Sequence, residues 1–205
     1  MKTAVILSAR MDKDTEIPYP LKPYYENSCL IDRTIEALTA LSYDNILLIV
    51  GGQAQLYQRY ASETVRLVLN PDFKFTSSMG SLAMAAPYVK DDFLLVEGDT
   101  FYEYKVLKEL SETKNENCFA ITEESGSGDE AFVETRSGYI TKISKDRHQI
   151  CNFEGELLGI VKISKHSFDR MMNKWKNSNN PYLTMSICCL ILLMFWTGLI
   201  SSLPI

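Results

Sequence analysis

The chain has 205 residues, 46% of them hydrophobic and 23% charged. That is the composition of a folded globular protein and excludes a disordered chain, and the length fits one domain with a small appendage. Twenty-one basic against twenty-six acidic residues leave a net charge of −5, which argues against non-specific nucleic-acid binding.

The body of the chain alternates strand and helix signals. Residues 4–7 form a short apolar run that reads as a buried strand. Residues 30–41 carry apolar side chains at helical spacing, and 45–50 form a second strand ended by Gly51-Gly52. A short helix is expected over 54–60, a third strand over 65–69, and a small-residue helix over 79–86 stopped by Pro87. Residues 93–96 read as a fourth strand, closed by Glu97-Gly98-Asp99. Alternation of this kind predicts a mainly parallel sheet covered on both faces. Beyond Cys118 the pattern changes to β segments at 118–122, 131–134, 139–144 and 157–163, followed by a helix over 167–175. The Ser125-Gly126-Ser127-Gly128-Asp129 stretch reads as a flexible loop between the two halves.

Several smaller features set the context. The five cysteines, Cys29, Cys118, Cys151, Cys188 and Cys189, are an odd count without metal-ligand spacing and point to a reducing cytosol. Met1-Lys2 runs straight into a strand, so no secretory leader is expected. The last charged residue is Lys176, and 187–196 is an unbroken apolar block. The chain therefore divides into a domain over 1–177 and an uncharged apolar tail over 178–205.

Three loops carry the chemistry. The first follows the opening strand: Ser8-Ala9-Arg10, then Pro20-Leu21-Lys22. Ligands of open α/β sheets bind outside the carboxyl ends of the strands. Small residues there let backbone N–H groups approach a phosphate, and Arg10 and Lys22 add positive charge. The bland reading is a surface loop with ordinary basic residues. The second loop is Glu97-Gly98-Asp99, where an acid at a strand's carboxyl end is placed to hold Mg²⁺ against phosphate oxygens; its bland reading is a simple turn. The third is Asn70 to Leu82, with Thr76, Ser77, Ser78 and Ser81 available to cap a helix or to bond a base or ribose. Lys142 and Lys145 end a strand and are either exposed or within reach of a phosphate. Tyr19, Tyr24 and Tyr25 either line a pocket for a quaternary ammonium or pack the loop on the sheet.

Taken in order, these residues resemble the nucleotidyltransferases of the sugar-nucleotide and phosphocholine cytidylyltransferase type. Leu7-Ser8-Ala9-Arg10 with Pro20-Leu21-Lys22 is similar to that family's phosphate loop, although the loop's usual glycines are replaced. Asn70-Pro71-x-Phe73 with Thr76-Ser77-Ser78 and Ser81-Leu82 resembles its base loop. Leu95-Val96-Glu97-Gly98-Asp99 resembles its metal-binding Gly-Asp, and Glu156 to Ile160 resembles a later strand on the acceptor side. The resemblance implies a Rossmann-like, GT-A-like α/β fold: a mixed, mainly parallel sheet in three α/β/α layers. It implies a cytoplasmic enzyme that transfers a nucleotidyl group, cytidylyl by its closest flavour, from an NTP such as CTP. The acceptor would be phosphocholine, 2-aminoethylphosphonate or a similar phosphate or phosphonate, as in precursors of cell-surface polysaccharide or phospholipid. Pyrophosphate leaves. By position, Leu7, Ser8, Ala9 and Arg10 would cradle the triphosphate and Lys22 would neutralise the α-phosphate. Asp99, beside Glu97 and Gly98, would hold Mg²⁺, and Ser77, Ser78 and Ser81 would face base and acceptor. The alternatives are a sugar-1-phosphate nucleotidyltransferase, and a non-catalytic nucleotide-binding or tail-anchored protein. A glycosyltransferase would carry an Asp-x-Asp where this chain has Gly98-Asp99-Thr100-Phe101.

The resemblance runs through Asn180-Pro181-Tyr182-Leu183 and stops at Thr184. Family members continue there with an amphipathic helix and a second metal-binding aspartate. Residues 184–191 can be encoded so that one restored upstream base yields Asn-Tyr-Glu-Tyr-Met-Leu-Leu-Asp, a helix start of that kind. The expectation is a tail produced by a one-base slip, giving a chain that binds nucleotide without efficient turnover. The rivals are a membrane anchor with Lys165, Arg170, Lys174 and Lys176 on its cytosolic side, and a packed core helix.

Overall fold

The computed structural model describes residues 1–10, 16–24, 28–182 and 199–201. In chain order the strands are β1 (Thr3–Ser8), β2 (Asn45–Val50), β3 (Val65–Leu69), β4 (Phe93–Glu97), β5 (Cys118–Thr122), β6 (Phe132–Arg136), β7 (Tyr139–Ser144), β8 (Phe153–Ile163) and β9 (Leu199–Ser201). The α-helices are α1 (Leu30–Ala40), α2 (Ser78–Ala83), α3 (Tyr104–Glu112) and α4 (Lys165–Ser178).

β1 is buried along its whole length, as an apolar run covered on both faces must be. It pairs in parallel with β2 on one side and with β4 on the other, and β3 extends the parallel set beyond β2. β8 then runs antiparallel to β4, so the sheet is mixed around a parallel core, in the order β3-β2-β1-β4-β8-β5-β9. β8 is longer than β4. Its second half pairs with β4, while its first half, past the register pair Val96–Ile160, pairs with β6 of the β6–β7 hairpin. The hairpin therefore projects beyond the carboxyl edge of the parallel strands.

Period-two alternation sends successive strand residues to opposite layers. Val5, Leu7, Leu47, Ile49 and Leu95 pack with Met79 and Leu82 of α2 and Phe168, Met171 and Met172 of α4. Ala4, Ile6, Ile46, Leu48, Leu94 and Val96 pack with Ile31 and Leu38 of α1 and Val106, Leu107 and Leu110 of α3. The result is the expected three-layer α/β/α arrangement.

Some elements differ from the sequence reading. The 54–60 segment is a 3₁₀ run rather than an α-helix. α2 begins at Ser78 and ends at Ala83; beyond it the amides of Ala85 and Ala86 bond three residues back, a tightening that precedes Pro87. α3 was not anticipated, because its apolar residues are few. β8 starts four residues before the expected Leu157, since its polar opening Glu154-Gly155-Glu156 hides a strand that pairs with β6. Among the described residues no helix is long and apolar enough to cross a membrane. The anchor and reading-frame expectations fall on 183–198 and 202–205, outside the described residues; 199–201 add a strand parallel to β5.

Candidate active site

From β1 the chain steps outward to β2 and β3, then returns to the other side of β1 as β4. This reversal makes β1 and β4 the topological switch point of the parallel set, where such sheets open a crevice at their carboxyl ends. The two strand ends are joined there by backbone. Gly98 N–H donates to Leu7 O at 2.8 Å, and a Cβ on Gly98 would stand 2.9 Å from that same oxygen. Only a residue without a side chain fits this approach.

The loop after β1 is held from below. Ser8 and Ala9 are buried, and Ser8 Oγ lies 2.7 Å from the hydroxyl of buried Tyr57. Burial pushes that phenol up to about 12, so it stays protonated and also donates to Ser8 O at 3.3 Å. The Ser8 hydroxyl is thus engaged in bracing the turn. Ala9 O passes so close to Gly51 that a Cβ there would lie 2.4 Å from it and 2.7 Å from Phe73 Cβ. Gly51 therefore seats the β1 loop against the loop after β3. The sequence showed Gly51 only as the end of a strand; its spatial neighbours reveal the role.

Arg10 leads out of this turn into solvent and meets the projecting hairpin. Its guanidinium is 3.7 Å from the carboxylate of Asp129, which Lys145 Nζ approaches to 2.9 Å while also bonding the Asp129 carbonyl. Asp129 precedes β6 and Lys145 follows β7, so the hairpin delivers both. Glu97, half-buried at the end of β4, is pushed up to about 7, first by burial and then by the negative charge of Asp99 and Asp129; Lys145 and Arg10 oppose the shift. Gly159 of β8, at φ +77°, leaves the space that the Glu97 carboxylate fills: a Cβ there would be 2.8 Å from Glu97 Oε2. Three acids and two bases from four separate segments thus gather at the switch point.

Lys22 follows a 3₁₀ turn over Tyr19–Leu21 whose Pro20 and Leu21 are buried. Its ammonium lies over the Tyr19 ring, 5.5 Å from the centroid. Tyr24, two residues on, packs edge-to-face on Phe101, two residues after Asp99, with centroids 5.8 Å apart. The Lys22 and Asp99 loops are neighbours. In the third loop, buried Asn70 donates to Thr76 Oγ1 at 3.2 Å and Ser81 Oγ at 3.1 Å, and its carbonyl accepts from Asp72 N–H at 3.0 Å. Ser81 is therefore part of the loop's internal frame. Ser77 and Ser78 stand half-buried at the start of α2; Ser77 makes no side-chain cap bond, and its N–H donates to Pro181 O at 3.2 Å.

Among the described residues no cluster of three or more His, Cys, Asp or Glu side chains offers a ready metal cage. Exposed Asp99 beside Glu97 fits a different style of binding. Mg²⁺ takes one or two carboxylates and completes its shell with phosphate oxygens and water.

No family model matches the chain. A curated relative, the CMP-5'-(3-aminopropyl)phosphonate synthase of Streptomyces rubellomurinus, is 26% identical over 129 residues. The match takes in 58% of this chain but only 20% of that relative's own length. Among solved structures, the inositol-1-phosphate CTP transferase of T. maritima superposes with a TM-score of 0.79 at 16% identity, over 98% of this chain and 85% of that one. The CTP:phosphocholine cytidylyltransferase of Streptococcus pneumoniae gives 0.74 at 14% identity, over 100% of this chain and 91% of that one.

Two outcomes follow from this geometry. A carboxyl whose folded value exceeds its unfolded one binds more protons in the native state, so it lowers stability as pH rises from the unfolded value, 4.5, through about 7. In metal-free buffer, Glu97→Gln will therefore gain urea midpoint relative to wild type between pH 5 and pH 8, and a pH-independent difference would contradict the burial of Glu97. Gly51→Ala forces a methyl against Ala9 O and Phe73, and will lower unfolding free energy by about 1–3 kcal/mol in urea titration.

The chain thus has the α/β fold of these transferases, a mixed sheet built around parallel core strands.

Proposed function

We propose that the chain binds a magnesium-bound nucleoside triphosphate across the ends of β1 and β4 and transfers its nucleotidyl group to a phosphate or phosphonate acceptor, with CTP as donor. The gathering of Arg10, Glu97, Asp99, Asp129 and Lys145 at the switch point carries this reading. The preference for CTP rests on the CMP and CTP chemistry named for the relatives. The preference for a small cationic or phosphonate acceptor rests on the aminopropylphosphonate and phosphocholine in two of those names.

In this reading the backbone of Ser8 and Ala9 faces the triphosphate, and Arg10 and Lys145 neutralise it. Lys22 stands by the α-phosphate, and Asp99, with Glu97 beside it, holds the metal. Ser77 and Ser78 line the base or acceptor side, while Ser81 supports them through Asn70. An acceptor oxygen attacks the α-phosphorus; a new P–O bond forms there as the bond to the bridging oxygen breaks, and pyrophosphate departs with its electron pair. A bound Mg²⁺ supplies charge neutralisation for the phosphate oxygens. The protein's own share is alignment and fixed positive charge, since phosphoryl chemistry asks little else of the polypeptide.

Asp129 has a defined place in this scheme. It satisfies Arg10 and Lys145 while no phosphate is present, through ion pairs more than half exposed to solvent. Such pairs are worth about 0–1 kcal/mol, so a polyanion displaces the carboxylate at little cost.

The test is a thermal-shift series with Mg²⁺ and each of the four NTPs, followed by pyrophosphate release with phosphocholine, 2-aminoethylphosphonate or a sugar 1-phosphate. CTP will raise the melting temperature most, and Asp99→Asn will cut pyrophosphate release about a hundredfold. No shift with any NTP defeats the reading. Asp129→Asn will tighten nucleotide binding about threefold to tenfold in calorimetry, because the internal competitor loses its charge.

A further inference from the structure

Arg33, on the first turns of α1, makes three contacts that belong to two different loops. Its Nη1 donates to the Tyr24 hydroxyl at 3.3 Å, its Nη2 donates to the Tyr102 carbonyl at 3.1 Å, and its guanidinium carbon lies over the Phe101 ring, 4.4 Å from the centroid. Tyr24 closes the segment that carries Lys22, and its N–H donates to Ser28 O at 3.1 Å. Phe101 and Tyr102 close the segment that carries Asp99. The same helix holds that second segment again, one residue on: the Tyr102 hydroxyl donates to Thr34 Oγ1 at 2.7 Å in a buried bond. Tyr24 and Phe101 remain about half exposed, so burial alone does not fix either ring.

We propose that Arg33 is a positioning residue: one guanidinium on α1 sets the spacing between the Lys22 loop and the Asp99 loop, and with it the register of α-phosphate against metal. The inference rests on the nucleotidyl-transfer reading and deepens it. The chemistry requires this side chain in particular. Only a planar group with several fixed N–H donors can serve a phenol and a carbonyl at once while its face covers an aromatic ring. An ammonium at the same position has three donors but not the wide planar fork that lets separate N–H groups reach two oxygens beside a ring. Arg33 touches neither of the proposed reacting groups; it acts through the two loops. A misplacement of about 1 Å at such a site costs on the order of a hundredfold in rate, while binding of the nucleotide, spread over many contacts, changes little.

The experiment compares wild type with Arg33→Lys, Arg33→Ala and Phe101→Leu in full-length protein. The first readout needs no catalysis: hydrogen exchange of peptides covering 16–24 and 98–104, with the rest of the sheet as internal reference. Arg33→Ala will exchange faster in both segments and unchanged in β1 and β4. The second readout is pyrophosphate release as a function of Mg²⁺–CTP. For Arg33→Ala, kcat will fall about tenfold to a hundredfold with KM within about threefold, Arg33→Lys will recover part of the loss, and millimolar methylguanidinium will restore part of it to Arg33→Ala. If Arg33→Ala fails to fold, Phe101→Leu, which leaves α1 intact, must show the same kcat-selective loss in smaller degree. Unchanged exchange in both segments, or equal loss of kcat and nucleotide affinity, overturns the proposal while an active wild type preserves the functional reading. A wild type that binds no NTP and releases no pyrophosphate overturns both.

Discussion

Everything at the candidate site depends on how closely two backbones approach at one point. The amide of Gly98 bonds Leu7 O just where β1 and β4 end, and any side chain at 98 would strike that oxygen. This contact makes the loop of Ser8 to Arg10 and the turn bearing Asp99 neighbours, whatever their side chains do. The parallel core supplies the rest, because a chain that builds outward through β2 and β3 and then returns across β1 must open its crevice there.

The electrostatics follow from that closeness. Burial raises Glu97 most, and the negative charge of Asp99 and Asp129 beside it adds to that shift. Arg10 and Lys145 relieve part of it, and a metal ion with its phosphates would relieve the rest. The arrangement is thus unfinished by itself in a specific sense: it has an excess of carboxylate oxygen on one side and loosely committed cations on the other. That is the arrangement of charge which the proposed magnesium-bound polyphosphate would complement.

Much of this was legible in the order of residues. The parallel core was readable because fully buried strands are unbroken apolar runs, as in 46–50, and because Gly-Asp after such a run marks a strand's carboxyl end. The positions of Arg10, Lys22 and Asp99 came from the same logic combined with a resemblance of ordered motifs. What stayed hidden depended on partners distant in sequence. Gly51 and Gly159 matter for what stands beside them, Ala9 O and the Glu97 carboxylate, and no local pattern announces that. Lys145 looked like one more lysine at a strand end until the hairpin carried it over β4. Ser81 looked like a ligand residue, but Asn70, eleven residues earlier, turns it inward. α3 escaped notice because three apolar positions, Val106, Leu107 and Leu110, suffice to seat a helix whose remaining surface is wet.

The hairpin of β6 and β7 has an elastic consequence. Its strands grow from the first half of β8, whose second half is stitched into the core beside β4, so the flap and the floor of the crevice share one continuous strand. The hairpin's open end, by contrast, meets the β1 loop through an ion pair between exposed side chains, Arg10 and Asp129, near glycines at 126 and 128 with left-handed backbones. Such tethers weaken as added salt shortens the screening distance from about 30 Å at 0.01 M to about 10 Å at 0.1 M. The crevice is therefore flanked on one side by a continuous buried strand and on the other by an exposed ion pair whose attraction fades as salt is added.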